Sequence, residues 1–163
     1  MDLYLMRHGI AVPRSTEEPD RDRPLTPKGI RRMRKAAKGL RALKISVDRI
    51  LTSPLLRARQ TAEIVAGVLQ LEDRVEVLDE LAAESSVKTL LGSLTAYQEM
   101  SALLLVGHEP LLGDTASHLL SGSKGVDVEL KKGGLCCLEV ASPPGGKAIL
   151  QYLLTPKQLR LMA

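Results

Sequence analysis

The stretch Ala102-Leu103-Leu104-Leu105-Val106-Gly107-His108-Glu109-Pro110 sets an unbroken apolar run against a Gly-His pair and then a proline. A continuous apolar run of this length suits a strand buried on both faces, and Glu109-Pro110 ahead of further apolar residues reads as the start of a helix reaching about Leu120. A strand that feeds directly into a helix is the repeating unit of a parallel α/β sheet. The same pattern stands upstream. Leu3-Tyr4-Leu5-Met6 is a short apolar run closed by Arg7-His8-Gly9. Val47–Thr52 reads as a second strand, followed by Ser53-Pro54 opening a helix with Ala58, Ala62, Val65 and Leu69 inward.

The remaining segments fit around these units. Residues 11–27 form a long polar loop carrying Pro13, Pro19 and Pro24, and long loops in small domains are often functional. Thr26-Pro27 supplies an N-cap and first helical residue for a helix to about Leu43, with Ile30, Met33, Ala37 and Leu40 on its inner face. Val75–Val77 reads as a short strand, and Val87, Leu90, Leu91 and Leu94 have the spacing of a third helix. Val126–Glu129, Leu135–Val140 and Ala148–Leu153 read as strands separated by glycine and proline turns. The order predicts an α/β chain whose front half makes parallel strands with crossover helices and whose tail adds further or antiparallel strands. With no repeat and no linker, residues 1–163 read as one domain.

Composition narrows the function. Apolar residues make up 44% and charged residues 26%, a balance suited to a folded globular chain rather than a disordered one. Phe and Trp are absent, so the core must be aliphatic, and stacking-based RNA or single-strand DNA binding is disfavoured. No apolar run is long enough to span a bilayer, and the N-terminus does not read as a secretory signal, so a cytoplasmic protein without membrane association is expected. Cys136 and Cys137 are adjacent, too close at Cα for an ordinary disulfide, and read as small apolar residues in or beside the sheet. No histidine spacing suggests a metal, no GxxxxGK[ST] is present, and no cofactor is expected.

Ligands in open α/β sheets bind beyond the carboxyl ends of the strands. Arg7-His8 and Gly107-His108 each follow such a strand, and Arg57 lies early in the helix after the second. Parallel neighbouring strands would therefore gather two histidines and two arginines at one edge. Forked guanidinium groups suit a phosphate dianion, and a neutral imidazole is a competent nucleophile.

These residues carry a resemblance. Arg7-His8-Gly9, Ser53-Pro54-Leu55-Leu56-Arg57-Ala58-Arg59-Gln60-Thr61-Ala62 and Val106-Gly107-His108-Glu109-Pro110 stand in the order of the RHG, SPLxRAxQTA and VGHxP blocks. The sequence resembles the histidine phosphatase, or phosphoglycerate mutase-like, superfamily. MRHGxA at Met6–Ala11 and RPLTxxG at Arg23–Gly29 resemble its short phosphohistidine phosphatases of the SixA type. The resemblance implies a three-layer α/β/α sandwich with a mostly parallel mixed sheet. It implies His8 as the phosphate-accepting nucleophile, Arg7, Arg57 and His108 as phosphate holders, and Arg23 as a further phosphate contact. The expected substrate is a phosphohistidine-bearing protein, with a small phosphate ester as the alternative.

Bland readings stand beside the sharp ones. Among Asp79, Glu80 and Glu84, Glu80 is the choice for a general acid, against a solvated acid flanking a helix. His118, mid-helix and outside any motif, reads as structural. The basic face of Lys28, Arg31, Arg32, Lys35, Lys38 and Arg41 is either a solvated surface or a dock for an acidic, phosphorylated domain. Readings of another class are a non-catalytic phosphate-dependent binding module and a nucleic-acid binder.

Overall fold

The computed structural model describes residues 1–122, 125–141 and 147–163. Six strands form one sheet: β1 (Asp2–Arg7), β2 (Arg49–Thr52), β3 (Val75–Val77), β4 (Ala102–Gly107), β5 (Leu135–Val140) and β6 (Ala148–Leu154). Their spatial order is β3-β2-β4-β1-β5-β6. β1, β2, β3 and β4 run parallel, while β5 is antiparallel to both β1 and β6. The sheet is therefore mixed and mostly parallel, and of the two outcomes the sequence left open for the tail, its strands are added antiparallel.

Among the described residues five α-helices cover it: α1 (Pro27–Ala42), α2 (Leu56–Leu69), α3 (Val87–Ser93), α4 (Leu111–Ser121) and α5 (Pro156–Leu161). Strand alternation sorts the core into two layers. Tyr4, Met6, Leu104, Val106 and Cys137 meet α1, α2 and α5, whereas Leu3, Leu5, Leu103, Leu105 and Cys136 meet α3 and α4. The architecture is a three-layer α/β/α sandwich. Cys136 and Cys137 are buried free thiols that pack as apolar residues on opposite faces of β5.

Local chemistry sets the boundaries. Thr26 caps α1 by accepting a bond from Gly29 N–H at 2.9 Å, with Pro27 in the first turn. Gly29 has a second role: a Cβ there would collide with the Ile10 carbonyl, so the first turn of α1 lies directly on the chain leaving β1. α2 begins at Leu56 rather than Ser53-Pro54, because the Ser53 hydroxyl turns back to accept Leu55 N–H. α4 likewise begins at Leu111, just past Pro110.

Two elements depart from the sequence reading. Val126–Glu129 is irregular rather than a strand, and the chain after it is drawn to other partners: Leu130 N–H bonds Glu109 and the Leu130 carbonyl accepts from Arg7. α5 was not foreseen, although Thr155-Pro156-Lys157-Gln158 carries a full capping box. The expected turn before β6 falls largely on 142–146, outside the described residues.

Candidate active site

β1 and β4 are neighbours in register, with Arg7 opposite Gly107. His8 and His108, one residue beyond that pair, leave the sheet side by side, and His8 N–H bonds the Gly107 carbonyl at 3.0 Å. Their ring centroids lie 5.0 Å apart. The chain leaves β1 toward α1 on one face and β4 toward α4 on the other, so this pair marks the point where connections diverge and a crevice opens.

The geometry assigns the His8 tautomer. Its Nδ1 lies 2.7 Å from the Gly9 carbonyl, which can only accept, so Nδ1 carries the proton and Nε2 keeps its lone pair. Gly9 is itself held by its N–H bond to Thr61 Oγ1 at 3.1 Å, and Thr61 Oγ donates to the Arg57 carbonyl. Burial lowers the His8 pKa to about 3, and the neighbouring His108, Arg57 and Arg7 push the same way. Burial, followed by the Arg57 charge, lowers His108 to about 4. Both rings are neutral at pH 7.

Arg57 is only 3% exposed. Its Nη1 donates to the Asp20 carbonyl at 2.8 Å and its Nη2 meets Asp20 Oδ2 at 3.1 Å. The other Asp20 oxygen takes Arg14 Nε and Arg23 Nε at 2.9 and 2.8 Å, so three arginines converge on one carboxylate. Burial acts to raise the Asp20 pKa, but the Arg57 and Arg23 charges outweigh it and hold the group ionised below its ordinary value. Arg7 Nη1 is anchored on the Leu130 carbonyl at 2.9 Å. Arg7 Nε, Arg57 Nε and His108 Nδ1 are buried without any protein partner. Native proteins rarely leave buried nitrogens unmatched. Here the unmatched atoms belong to Arg7, Arg57 and His108, the groups whose charges act on His8, a donor set that suits a tetrahedral oxyanion.

A family model described as the histidine phosphatase superfamily (branch 1) matches residues 3–85. The chain belongs to that superfamily. It is 36% identical to the phosphohistidine phosphatase SixA of Escherichia coli strain K12, over 75% of this chain and 76% of the relative. It is 30% identical to the SixA homolog of Haemophilus influenzae, over 73% of this chain and 77% of that one. Its fold superposes on the protein histidine phosphatase SixA complexed with tungstate, with a TM-score of 0.86, 29% identity and coverage of 98% and 99% of the two chains.

In this histidine phosphatase the second histidine has a partner that the sequence reading did not single out. Ser53 is fully buried, and its Oγ lies 2.8 Å from His108 Nε2. The same Oγ accepts Leu55 N–H, so its own proton is free to go to Nε2. With Ser53 as the donor, the His108 proton sits on Nδ1, the atom without a protein partner. Ser53→Ala should release this tautomer and lower kcat roughly tenfold while leaving the overall fold intact. Imidazole 15N chemical shifts would report the tautomer directly, and an unchanged His108 signal would remove Ser53 from the site.

The remaining predicted residues are placed as follows. Arg23 braces the 11–27 loop, bonding Asp20 and, at 2.6 Å, the Val12 carbonyl. Together with Arg14, Asp20, Leu55, Ala83 and Glu84 it lines a cavity of about 400 Å³ beside the arginine cluster. Glu84, not Glu80, reaches that cavity. Glu80 sits in a short 3-10 turn after β3, where its charge acts on Tyr97. His118 is exposed on α4, away from the crevice, beside α3. Asp20, Thr61 and Glu109 were also missed as site supports. Glu109 receives Leu130 N–H and lies near Arg7, with burial raising its pKa. Among the described residues, no group of three or more His, Cys, Asp or Glu could hold a metal ion, and no helix is long and apolar enough to cross a membrane.

Proposed function

We propose that this chain is a phosphohistidine phosphatase that takes the phosphoryl group from a partner protein onto Nε2 of its own His8. The observation that carries this reading is the neutral His8 ring, its Nε2 free, within 5.0 Å of the His108 ring and under the charges of Arg7 and Arg57, whose Nε atoms, like His108 Nδ1, are buried without a protein partner. In the first step the His8 Nε2 lone pair attacks phosphorus in line, while Arg7, Arg57 and the His108 Nδ1–H offset charge on the equatorial oxygens. The P–N bond to the substrate breaks, and its electron pair stays on the departing imidazole. With a proton on its distal nitrogen, that group leaves neutral.

In the second step water attacks phosphorus, its proton passes to a phosphate oxygen, and the bond to His8 breaks. The Gly9 carbonyl on Nδ1–H supports the positive ring of phospho-His8 and returns it as a neutral imidazole. Arg23 shares the Asp20 carboxylate with Arg57, which supports a role for it beside the phosphate site. An alcohol leaving group would need an acid. Asp20 is held ionised by its arginines and offers no proton at pH 7, while Glu84 is exposed to solvent rather than enclosed against a leaving group. Glu80, the alternative acid, lies outside the cavity lining. The balance favours phosphohistidine over alcohol esters.

Side-by-side hydrolysis of a phosphohistidine-bearing protein and a panel of alcohol phosphoesters tests this. The expected result is a kcat/KM at least about a hundredfold higher on phosphohistidine, in line with the two to four orders of magnitude that general acid catalysis supplies. A strong preference for an alcohol ester would overturn the assignment in favour of a small-molecule phosphatase.

A further inference from the structure

α1 carries a charge pattern that works against its own stability. Its sequence PKGIRRMRKAAKGLRA holds seven Lys and Arg and no acid. No Asp or Glu occurs anywhere between Asp22 and Asp48. Lys28 sits in the first turn, where the helix dipole disfavours a cation, and that turn has no acid to offset it. Lys28 with Arg32, Arg31 with Lys35 and Arg34 with Lys38 are like charges four residues apart, each pair destabilising. Among the described residues none of the seven enters a salt bridge or a side-chain hydrogen bond. A merely solvated helix face gains nothing from such one-sided charge.

The same helix borders a groove of about 550 Å³ against α2. Ile30, Ile64 and Val68 form an apolar floor, and Arg34 and Lys38 stand on the α1 rim. Glu63 on the α2 side pairs with neither. The groove begins beside the active site. Gln60, which lines it, lies one helical turn after Arg57 and accepts Leu25 N–H at 2.7 Å. The first turn of α1 rests on Ile10, two residues past His8.

We infer that the α1–α2 groove docks an acidic, amphipathic segment of the phosphoprotein whose phosphohistidine enters the active site. This rests on the function proposed above. Aliphatic side chains of the segment cover Ile30, Ile64 and Val68 while its carboxylates meet Arg34 and Lys38, and the charge speeds encounter and sets orientation. No aromatic side chain lines the groove, so it offers no platform for stacked bases.

The test uses the full chain and three substrates: a Glu-rich amphipathic peptide with one phosphohistidine, its Lys-rich counterpart, and free phosphohistidine. The wild type should favour the Glu-rich peptide, and added salt should erode that preference. Arg34→Glu combined with Lys38→Glu should cut kcat/KM on that peptide about tenfold, mainly through KM, and leave free phosphohistidine unaffected. Arg34→Gln with Lys38→Gln should give a smaller loss of the same sign. Direct binding of the unphosphorylated Glu-rich peptide reads docking without turnover. Failed hydrolysis therefore counts against the proposed function, and failed binding counts against the groove. Equal kinetics of wild type and variants on the Glu-rich peptide would overturn the inference. So would loss of duplex DNA or phosphatidylserine-vesicle binding in the variants with peptide kinetics unchanged.

Discussion

His8→Ala should abolish turnover, with kcat/KM falling by roughly four orders of magnitude or more, the scale seen when a covalent nucleophile is removed. The residual site would still present Arg7, Arg57 and His108, so binding of an inert oxyanion such as tungstate should persist while phosphoenzyme labelling disappears. Rapid-quench labelling with phosphorus-32 substrate checks both halves, and a fully active or still-labelled variant would remove His8 from the nucleophile's role. The depressed histidine pKa values fix the pH dependence. His8 and His108 are neutral above about pH 4, so neither should shape the rate between pH 5 and 8, and activity should fall only as pH drops through about 4 toward 3. Their linkage to stability has the same sign. The unfolded chain takes up these protons near pH 6.5 and the folded chain only near 3 to 4, so the contribution is complete above pH 6.5 and is lost progressively below it.

Arg57→Ala should lower kcat/KM by roughly two to three orders of magnitude, the usual consequence of losing one preorganised oxyanion donor. The effect has two sources. Arg57 Nε disappears from the anion site, and Asp20 loses both of its bonds to that side chain. The Asp20 carboxylate keeps Arg14 and Arg23, but the Asp20 end of the loop loses its tie to α2, leaving Leu25 N–H on Gln60. Arg57→Lys should recover little. A single ammonium cannot serve the Asp20 carbonyl, the Asp20 carboxylate and a phosphate oxygen in the directions a planar fork supplies. Steady-state kinetics with tungstate as competitive inhibitor check this: both kcat and the inhibition constant should worsen in each variant. Unchanged kinetics would place Arg57 in a purely structural pairing with Asp20.

The strands and the first four helices were legible because their periods differ. Leu103 and Leu105 face one layer while Leu104 and Val106 face the other, and an apolar run buried on both sides betrays that in the sequence. Cores of this kind also make helix faces readable, as with Met33, Ala37 and Leu40 on α1. Val126–Glu129 misled because its alternation of apolar and acidic residues suits a half-buried strand, whereas the segment leads into Leu130, whose backbone is spent on Glu109 and Arg7 instead of a neighbouring strand. The choice of Glu80 over Glu84 as acid shows a related limit of local pattern. Glu80 and Glu84 are equivalent by composition, and only the turn after β3 decides which of the two reaches the cavity.

From the chain's residues alone came the α/β order, the apolar faces and the motif positions of Arg7, His8, Arg57 and His108, all of which are local patterns. Tertiary structure alone decided what orients them. Asp20 lies 37 residues from Arg57, Ser53 lies 55 from His108, and Leu130 lies 123 from Arg7. Hydrogen bonds across such separations leave no periodic trace in sequence. They exist because the parallel pairing of β1 with β4, and the crossings of α1 and α2 above it, bring those segments to one edge of the sheet.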